Sequence, residues 1–207
     1  MPDVPTTLRT GKTLAQICDA AELSEEALAL RAPGQTPRQY VEALTGQECY
    51  PDAVRFLAHA LPRREAVWWA WFCAKRAAGE SPPPPVEALL EATRLWIAEP
   101  SDVRRRAAMA QAEGVGFGTP AGSAGLAAFF CGASLAPPDM DPVPPEEFMA
   151  ARAITGSIVL AAVATEPERA GEKFREYLEQ GMVVAEKTDL WSPPGPAADR
   201  PAGRPRR

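Results

Sequence analysis

Prolines divide most of this sequence into segments with the apolar spacing of an α-helix. Val54, Leu57 and Leu61 recur at the three- and four-residue steps of a buried helix face, and Pro62 ends that segment. Alternating strand patterns are nearly absent. Because Pro62 and Pro100 break the pattern at irregular intervals, it predicts an all-α fold, either an irregular helical bundle or a short array of antiparallel helix pairs.

Capping residues mark several of the predicted helix starts. Thr36 can accept a hydrogen bond from the N–H of Gln39, whose side chain can reach back, and Pro37 fits the first helical position. Ser24 is predicted to cap a short second helix in a similar way. The remaining signals predict helices over residues 13–21, 36–45, 51–61, 63–78, 86–98, 101–113, 119–134, 146–164 and 167–187.

Three connecting segments are predicted not to be helical. Residues 82–85 are all proline, residues 114–118 have glycine at alternate positions, and residues 136–145 contain five prolines. We therefore expect a stiff connector, a flexible loop and an irregular stretch. We also expect a single helical domain over residues 1–191, followed by a disordered tail over residues 192–207, which has no large apolar side chains to bury.

The charge distribution argues against a nucleic-acid partner. The formal net charge is -5, and residues 192–207 hold one aspartate and four arginines, so the preceding body is more acidic than the total. Binding to a phosphate backbone requires clustered cations instead. Arg104, Arg105 and Arg106 are consecutive and fan around a helix, so we expect a solvated face there rather than one basic patch.

Cysteine and histidine usage does not support a metal site or a bound cofactor. Cys18, Cys49, Cys73 and Cys131 show no two-residue spacing, and His59 is the single histidine. The first residues contain no apolar export signal, so we expect reduced cysteines and a cytoplasmic location. The apolar stretch 153–164 is shorter than the roughly 20 residues that a membrane span needs, which predicts a buried core helix.

Three glycine-containing motifs resemble known sites but lack required residues. Residues 11–13 end like a phosphate-binding loop, yet Thr6 stands where that motif needs glycine. Residues 114–118 lack the third glycine of a dinucleotide fingerprint. Residues 121–125 resemble a nucleophile elbow around Ser123, but no histidine follows the serine. We expect a helix start at residues 11–13, a mobile linker at residues 114–118, and close packing of two helices at residues 121–125.

The helix over residues 63–78 carries the candidate site residues Arg64, Glu65, Trp68, Trp69 and Trp71. Large rings on most of its circumference predict a position at the centre of the bundle. An exposed tryptophan would instead mark a binding surface. Glu65 lies in the first turn, where the helix dipole favours an acid, and the alternative is a partly buried acid paired with an arginine.

Three segments resemble an uncharacterised bacterial family of small helical proteins. The first and most specific is FLAHALPRREAVWWA at residues 56–70, and weaker similarity follows at residues 129–137 and 174–181. The resemblance covers about residues 36–187. It implies an association with type VI secretion systems and carries over no catalytic residue.

Together these patterns predict a non-catalytic protein–protein interaction or adaptor protein of the bacterial cytoplasm, accessory to a type VI secretion system. One alternative is an enzyme of unknown class that uses Glu65 and Arg64 in a cleft. Another is a structural homo-oligomer that associates through the small-residue segment 119–134. We expect a protein partner and no membrane span.

Overall fold

The computed structural model describes residues 7–193, and this part of the chain folds into ten α-helices and one short 3-10 turn. The predicted all-α class is confirmed. Between residues 7 and 193 the extended structure consists of one isolated bridge, from Thr7 to Thr13. The helices are α1 (Leu14–Ala21), α2 (Glu25–Ala29), α3 (Pro37–Gly46), α4 (Tyr50–Ala60), α5 (Arg63–Ala78), α6 (Pro84–Ala98), α7 (Asp102–Val115), α8 (Pro120–Phe130), α9 (Met149–Val163) and α10 (Ala170–Lys187), with the 3-10 turn at Pro167–Arg169 before α10.

Helices α5 and α9 occupy the middle of the arrangement. Helix α5 packs against α6, α8, α9 and α10, and α9 packs against α4, α5, α8 and α10. Helices α1 and α3 pack on α4, whereas α7 packs on α6 and α8. The central position predicted for the tryptophan-rich helix is therefore confirmed.

The predicted capping residues form the expected hydrogen bonds at the starts of α1, α2 and α3. Thr13 forms a capping box with Gln16, and Thr36 forms one with Gln39. The Ser24 hydroxyl accepts a hydrogen bond from the Ala27 N–H at 3.1 Å. Each such cap stabilises its helix by about 1 kcal/mol, which explains why local sequence located these boundaries.

Close helix packing around α8 confirms the structural interpretation of its small residues. A Cβ added at Gly125 would lie 2.8 Å from Leu89 Cδ1 on α6 and 3.2 Å from Ala112 Cβ on α7. Distances this short leave no room for a side chain. The glycine therefore lets α8 approach both neighbours, and the small-residue face proposed for self-association is buried inside the chain.

The prediction that residues 82–85 cannot be helical is wrong in its second half. Helix α6 begins at Pro84, and Pro84 and Pro85 occupy its first turn. The first N–H groups of a helix have no intrahelical acceptor, so proline loses nothing there, and its fixed φ suits the helix.

The prediction of a solvated face over residues 104–106 is also wrong for Arg105, which is only 3% exposed. Its guanidinium donates to the carbonyl oxygens of Phe129, at 3.2 Å, and Ser134, at 2.7 Å, and it pairs with Asp102. Helix α8 ends at Phe130 with carbonyl groups that need donors. Arg105 satisfies them from the neighbouring helix, a tertiary contact that local sequence does not reveal.

Smaller corrections concern element ends. Residues Gly114 and Val115 belong to α7, so the glycine-rich loop is shorter than expected; α8 ends at Phe130, and α9 begins only at Met149. Within the predicted tail, the Ser192 hydroxyl donates to Asp189 at 2.5 Å. The rest of that tail, residues 194–207, lies outside the described residues.

No single helix between residues 7 and 193 has both the length and the apolarity to cross a membrane. Helix α9 and the segment Pro167–Lys187 pass the length and composition criteria together, but they meet at a bend of 112°. The inner face of α9, which includes Ile154, Ile158 and Ala161, is buried in the core, as predicted.

Candidate functional site

The five candidate residues on α5 face different neighbours and do not converge on one cleft. Trp69 lies in the core, Trp71 faces α6, and Trp68 faces α10. Arg64 contacts the end of α6, whereas Glu65 lies beside Trp68.

Trp69 is fully buried and fixed by a hydrogen bond. Its indole N–H donates to the carbonyl oxygen of Tyr177 on α10 at 2.7 Å. Gly181, one turn further along α10, leaves space for the ring, since a Cβ there would lie 2.8 Å from two ring carbons. The core interpretation of the tryptophans is therefore confirmed for Trp69.

Trp71 is half-buried at the contact between α5 and α6. Its indole N–H donates to the carbonyl oxygen of Leu90 at 2.8 Å, and Lys75 Nζ lies 5.3 Å from the ring centroid. The outer ring edge borders an open hollow of about 580 Å³ between the two helices. With its polar atom already bonded, Trp71 offers that hollow only apolar surface.

Trp68 is half-buried, like Trp71, and stacks on Phe72, with ring centroids 5.7 Å apart and planes 20° apart. It borders a groove of about 320 Å³ between α5 and α10. We call this feature the Trp68 groove; it is lined by Glu65, Trp68, Gln180, Val184, Lys187 and Thr188. An aromatic floor with one acid and one base at its sides is suited to binding rather than to catalysis.

Arg64 and Glu65 do not form the acid–arginine pair required by the enzyme hypothesis. Arg64 donates to the carbonyl oxygens of Ile97, at 2.6 Å, and Ala98, at 3.1 Å, and so caps the C-terminal end of α6. Glu65 lies in the first turn of α5, where its charge complements the helix dipole. Their neighbours on α5 supply no nucleophile or base beside them.

Ser123 is not an exposed nucleophile. It lies in the first turns of α8, and its hydroxyl donates to the carbonyl oxygen of Phe117 at 2.7 Å. The elbow geometry requires an exposed serine at the end of a strand. This serine instead ties the glycine-rich loop to α8.

His59 is a site residue whose environment sequence reasoning missed. It is only 5% exposed, and its Nδ1 donates to the carbonyl oxygen of Arg55 at 2.8 Å. Its Nε2 is buried and has no hydrogen-bond partner in residues 7–193. Burial lowers the pKa of His59, and the positive charges of Lys12 and Arg152 lower it further. Helical spacing did not indicate this burial, because His59 shares a face with Arg55 and not with the apolar face of the predicted helix.

His59 lines two separate hollows. The smaller, about 260 Å³, is lined by Lys12, Arg63 and Phe148 among others, and we call it the His59 pocket. The larger, about 420 Å³, contains Arg55 and Arg152. Two cations therefore line each hollow beside the His59 ring, against one acid in each, Glu22 in the larger and Glu147 in the smaller, in a chain that is acidic as a whole.

Lys12 is held at the edge of the His59 pocket. Its Nζ donates to the carbonyl oxygen of His59 at 3.1 Å and lies 5.8 Å from the centroid of the Phe148 ring. Burial lowers the pKa of Lys12, and the carboxylate of Glu147 partly opposes this effect. The ammonium group is therefore placed by main-chain and ring contacts.

The described residues contain no group of three or more His, Cys, Asp or Glu side chains placed to hold a metal ion. Cys18, Cys49, Cys73 and Cys131 are free thiols, and burial raises the pKa of Cys131 to about 11. These thiols thus have the character of structural side chains rather than of reactive ones.

The fold and these environments define an all-α protein whose most distinctive features are an aromatic groove and a cationic histidine pocket. The chain belongs to DUF6931, a family of unknown function whose profile matches residues 40–185, well over half of the sequence. The match includes His59, Arg63 and Trp68 and excludes Lys12. The chain has no significant match among curated proteins or among solved structures.

Proposed function

We propose that this protein is a non-catalytic protein–protein interaction or adaptor protein of the bacterial cytoplasm. The observation that carries the proposal is the Trp68 groove, where a half-buried indole stacked on Phe72 borders an open surface beside one face of α10. Tryptophan is among the residue types most enriched at binding hot spots.

The shape and charge of the groove favour an amphipathic helix as its occupant. Gln180, Val184, Lys187 and Thr188 follow the one-face spacing of α10 and extend for about 12 Å along it. An apolar helix face would rest on Trp68 and Val184, as in helix-in-groove recognition. Glu65 and Lys187 lie on opposite helices, so a base and an acid on the partner would fix its direction.

Site-specific photo-crosslinking tests this role. A photoreactive amino acid at Gln180, inside the groove, should capture one defined partner, whereas the same probe at the exposed Gln111 on α7 should not. Trp68→Ala should reduce the Gln180 crosslink at least about tenfold, the effect of losing a hot-spot side chain, while helicity stays unchanged. Equal crosslinking at both positions, or no effect of Trp68→Ala, would show that the groove is not the interface.

We further propose that the partner is a component of a type VI secretion system. The support is the resemblance of residues 56–70 to a family associated with such systems. In a bacterium with an active apparatus, deletion of the gene should impair secretion, and the wild-type gene should restore it while Trp68→Ala should not. Unimpaired secretion in the deletion strain would contradict this link, and recovery of the protein outside the cytoplasmic fraction would contradict the proposed location.

A further inference from the structure

The His59 pocket brings together residues from four separate segments of the fold. Lys12 precedes α1, His59 ends α4, Arg63 begins α5, and Glu147 and Phe148 precede α9. The volume of about 260 Å³ suits a small molecule rather than a peptide or a helix. The pocket shares no lining residue with the Trp68 groove, so it is independent of the proposed adaptor role.

The two cations of the pocket bond to main-chain oxygens instead of carboxylates. Lys12 donates to the carbonyl oxygen of His59, and Arg63 donates weakly to that of Glu147 at 3.4 Å. Within residues 7–193 neither forms an ion pair, whereas most of the described arginines do; examples are Arg38, Arg76, Arg94, Arg152, Arg169 and Arg175. Among residues 7–193, the only acid that lines the pocket is the exposed Glu147. The pocket therefore has surplus positive charge.

The third polar group of the pocket, after Lys12 and Arg63, is the imidazole ring of His59, whose Nε2 is buried. Because Nδ1 donates to the Arg55 carbonyl, the unpartnered Nε2 is an acceptor when the ring is neutral and a donor when it is protonated. A buried polar atom without a partner is costly and rare, and a ligand in the hollow that His59 lines supplies that partner once a small shift of the ring uncovers Nε2. In addition, α5 begins at this pocket without a side-chain cap, which leaves its first N–H groups facing outward.

We propose that the His59 pocket binds a small oxyanion with two negative charges, phosphate or a phosphate monoester, between Lys12, Arg63 and protonated His59. The charges favour a dianion over a monoanion. Lys12 and Arg63 carry two positive charges against the one negative charge of Glu147, and protonation of His59 adds a third. A dianion then neutralises the pocket, and each cation can donate a charge-assisted hydrogen bond to it.

Binding and protonation of His59 are coupled in this site. The charged groups around the ring are Lys12 before α1, Glu22 after it, Arg55 on α4, Arg63 on α5, and Glu147 and Arg152 at and near the start of α9. Burial, together with their surplus of cations, disfavours the protonated imidazole in the unliganded protein. A bound dianion opposes that repulsion, so it raises the pKa of His59, and by reciprocity the anion binds more tightly as pH falls.

The test uses the full-length protein and the NMR signal of its single histidine. The pH titration is recorded in sulfate and in chloride at equal ionic strength; sulfate stays a dianion throughout, so the pH dependence reports the ring alone. Sulfate should raise the pKa of His59, and its affinity should increase as pH falls from 8 to 5.5. His59→Gln should retain weak binding that no longer varies with pH.

Matched variants locate the site. Arg63→Gln changes an exposed side chain and should fold normally; it should weaken sulfate binding about tenfold, the loss of one charge-assisted hydrogen bond. Lys12→Met should act similarly, whereas Lys75→Met and Arg94→Gln, on other surfaces, should have no effect. Phosphate compared with glycerol 3-phosphate then distinguishes the free anion from an ester.

Three results would overturn the proposal. The first is a pKa of His59 that is the same in sulfate and in chloride. The second is a loss of sulfate affinity in the Lys75 and Arg94 variants equal to that in the Lys12 and Arg63 variants. The third is acetate that binds as tightly as sulfate. The last result would contradict the charge argument specifically. A failure of partner capture at the Trp68 groove would leave this site unaffected, because the two measurements have no residue in common.

Discussion

Gly181 and Trp69 form a close contact between α5 and α10. The indole is fixed at its nitrogen by Tyr177, so it cannot retreat when Gly181 gains a side chain. A Cβ at this position would also lie 3.2 Å from Leu57 Cδ1 on α4. The glycine is therefore required for packing and not for a special backbone angle.

We expect Gly181→Ala to lower the free energy of unfolding by about 1–3 kcal/mol, the usual cost of overpacking a core. Gly171→Ala on the same helix is the matched control, because its Cβ would meet only Tyr50 Cε2, at 3.8 Å. That change should stabilise the protein by about 0.5–1 kcal/mol through helix propensity. Urea unfolding measures both, and equal effects of the two substitutions would contradict the packing argument.

His59 makes stability depend on pH in a specific direction. Burial lowers the pKa of its folded-state imidazole, so the unfolded chain binds the proton more readily. The contribution is fully present above the unfolded-state pKa of about 6.5 and is lost as pH falls below it, towards the folded-state pKa. The slope should approach about 1.4 kcal/mol per pH unit at most.

Urea unfolding between pH 8 and pH 5 in chloride buffer measures this effect. His59→Gln should remove most of the slope in that range, because the chain contains no other histidine. A slope that persists in the variant would assign the pH dependence to other groups.

At the scale of elements, Asp52 joins α2 to α4. Its buried carboxylate accepts from the N–H and the hydroxyl of Ser24, both at 3.0 Å, and Ser24 in turn caps α2. A helix of five residues has little stability of its own. The position of α2 therefore depends on this contact.

Asp52→Ala should release α2 while leaving the central helices intact. The Leu28 amide donates to the Ser24 carbonyl at 2.9 Å. Its hydrogen exchange should accelerate at least about tenfold, because a tenfold change corresponds to a decrease of about 1.4 kcal/mol in the free energy of local opening. Glu25→Ala, an exposed change in the same helix, should have little effect. Unchanged exchange at Leu28 in Asp52→Ala would show that other contacts hold α2.

Local signals explain which elements the sequence predicted well. Helix starts at Thr13, Ser24 and Thr36 depend on side-chain bonds within three residues, so they are visible in the chain. The burial of Arg105 and the unpaired Nε2 of His59 depend on segments that are distant in sequence. The candidate site shows the same difference between local and long-range information. The sequence made Trp68 a candidate binding residue, but it could not place α10 beside it.

At the scale of the molecule, two groups of helices meet on shared elements. Helices α1, α3 and α4 reach α9 through α4, and α6, α7 and α8 reach α9 through α8. Helix α10 packs on α4 of the first group and on the shared helices α5 and α9. Neither group has a core separate from α5 and α9, and the single domain over residues 1–191 stays a prediction.

The whole molecule should therefore unfold in one cooperative transition. Tryptophan fluorescence and far-ultraviolet circular dichroism should give coincident urea curves. Asp52→Ala in one helix group and Gly125→Ala in the other should each shift the same transition, since both groups depend on the shared helices. Separate midpoints for the two signals would indicate two independent units.

Two neighbouring indoles give this protein an internal optical reference. Trp69 is sealed in the core with its nitrogen bonded to Tyr177, whereas the next ring along the backbone, Trp68, is half-buried beside α10. The chain has three further tryptophans, Trp71, Trp96 and Trp191, so a variant that keeps only the two neighbouring rings isolates their signals. Collisional quenchers such as iodide reach the partly exposed ring and not the sealed one. In that variant, a ligand that covers the groove protects one emission component and leaves the other as an internal standard, without any attached dye.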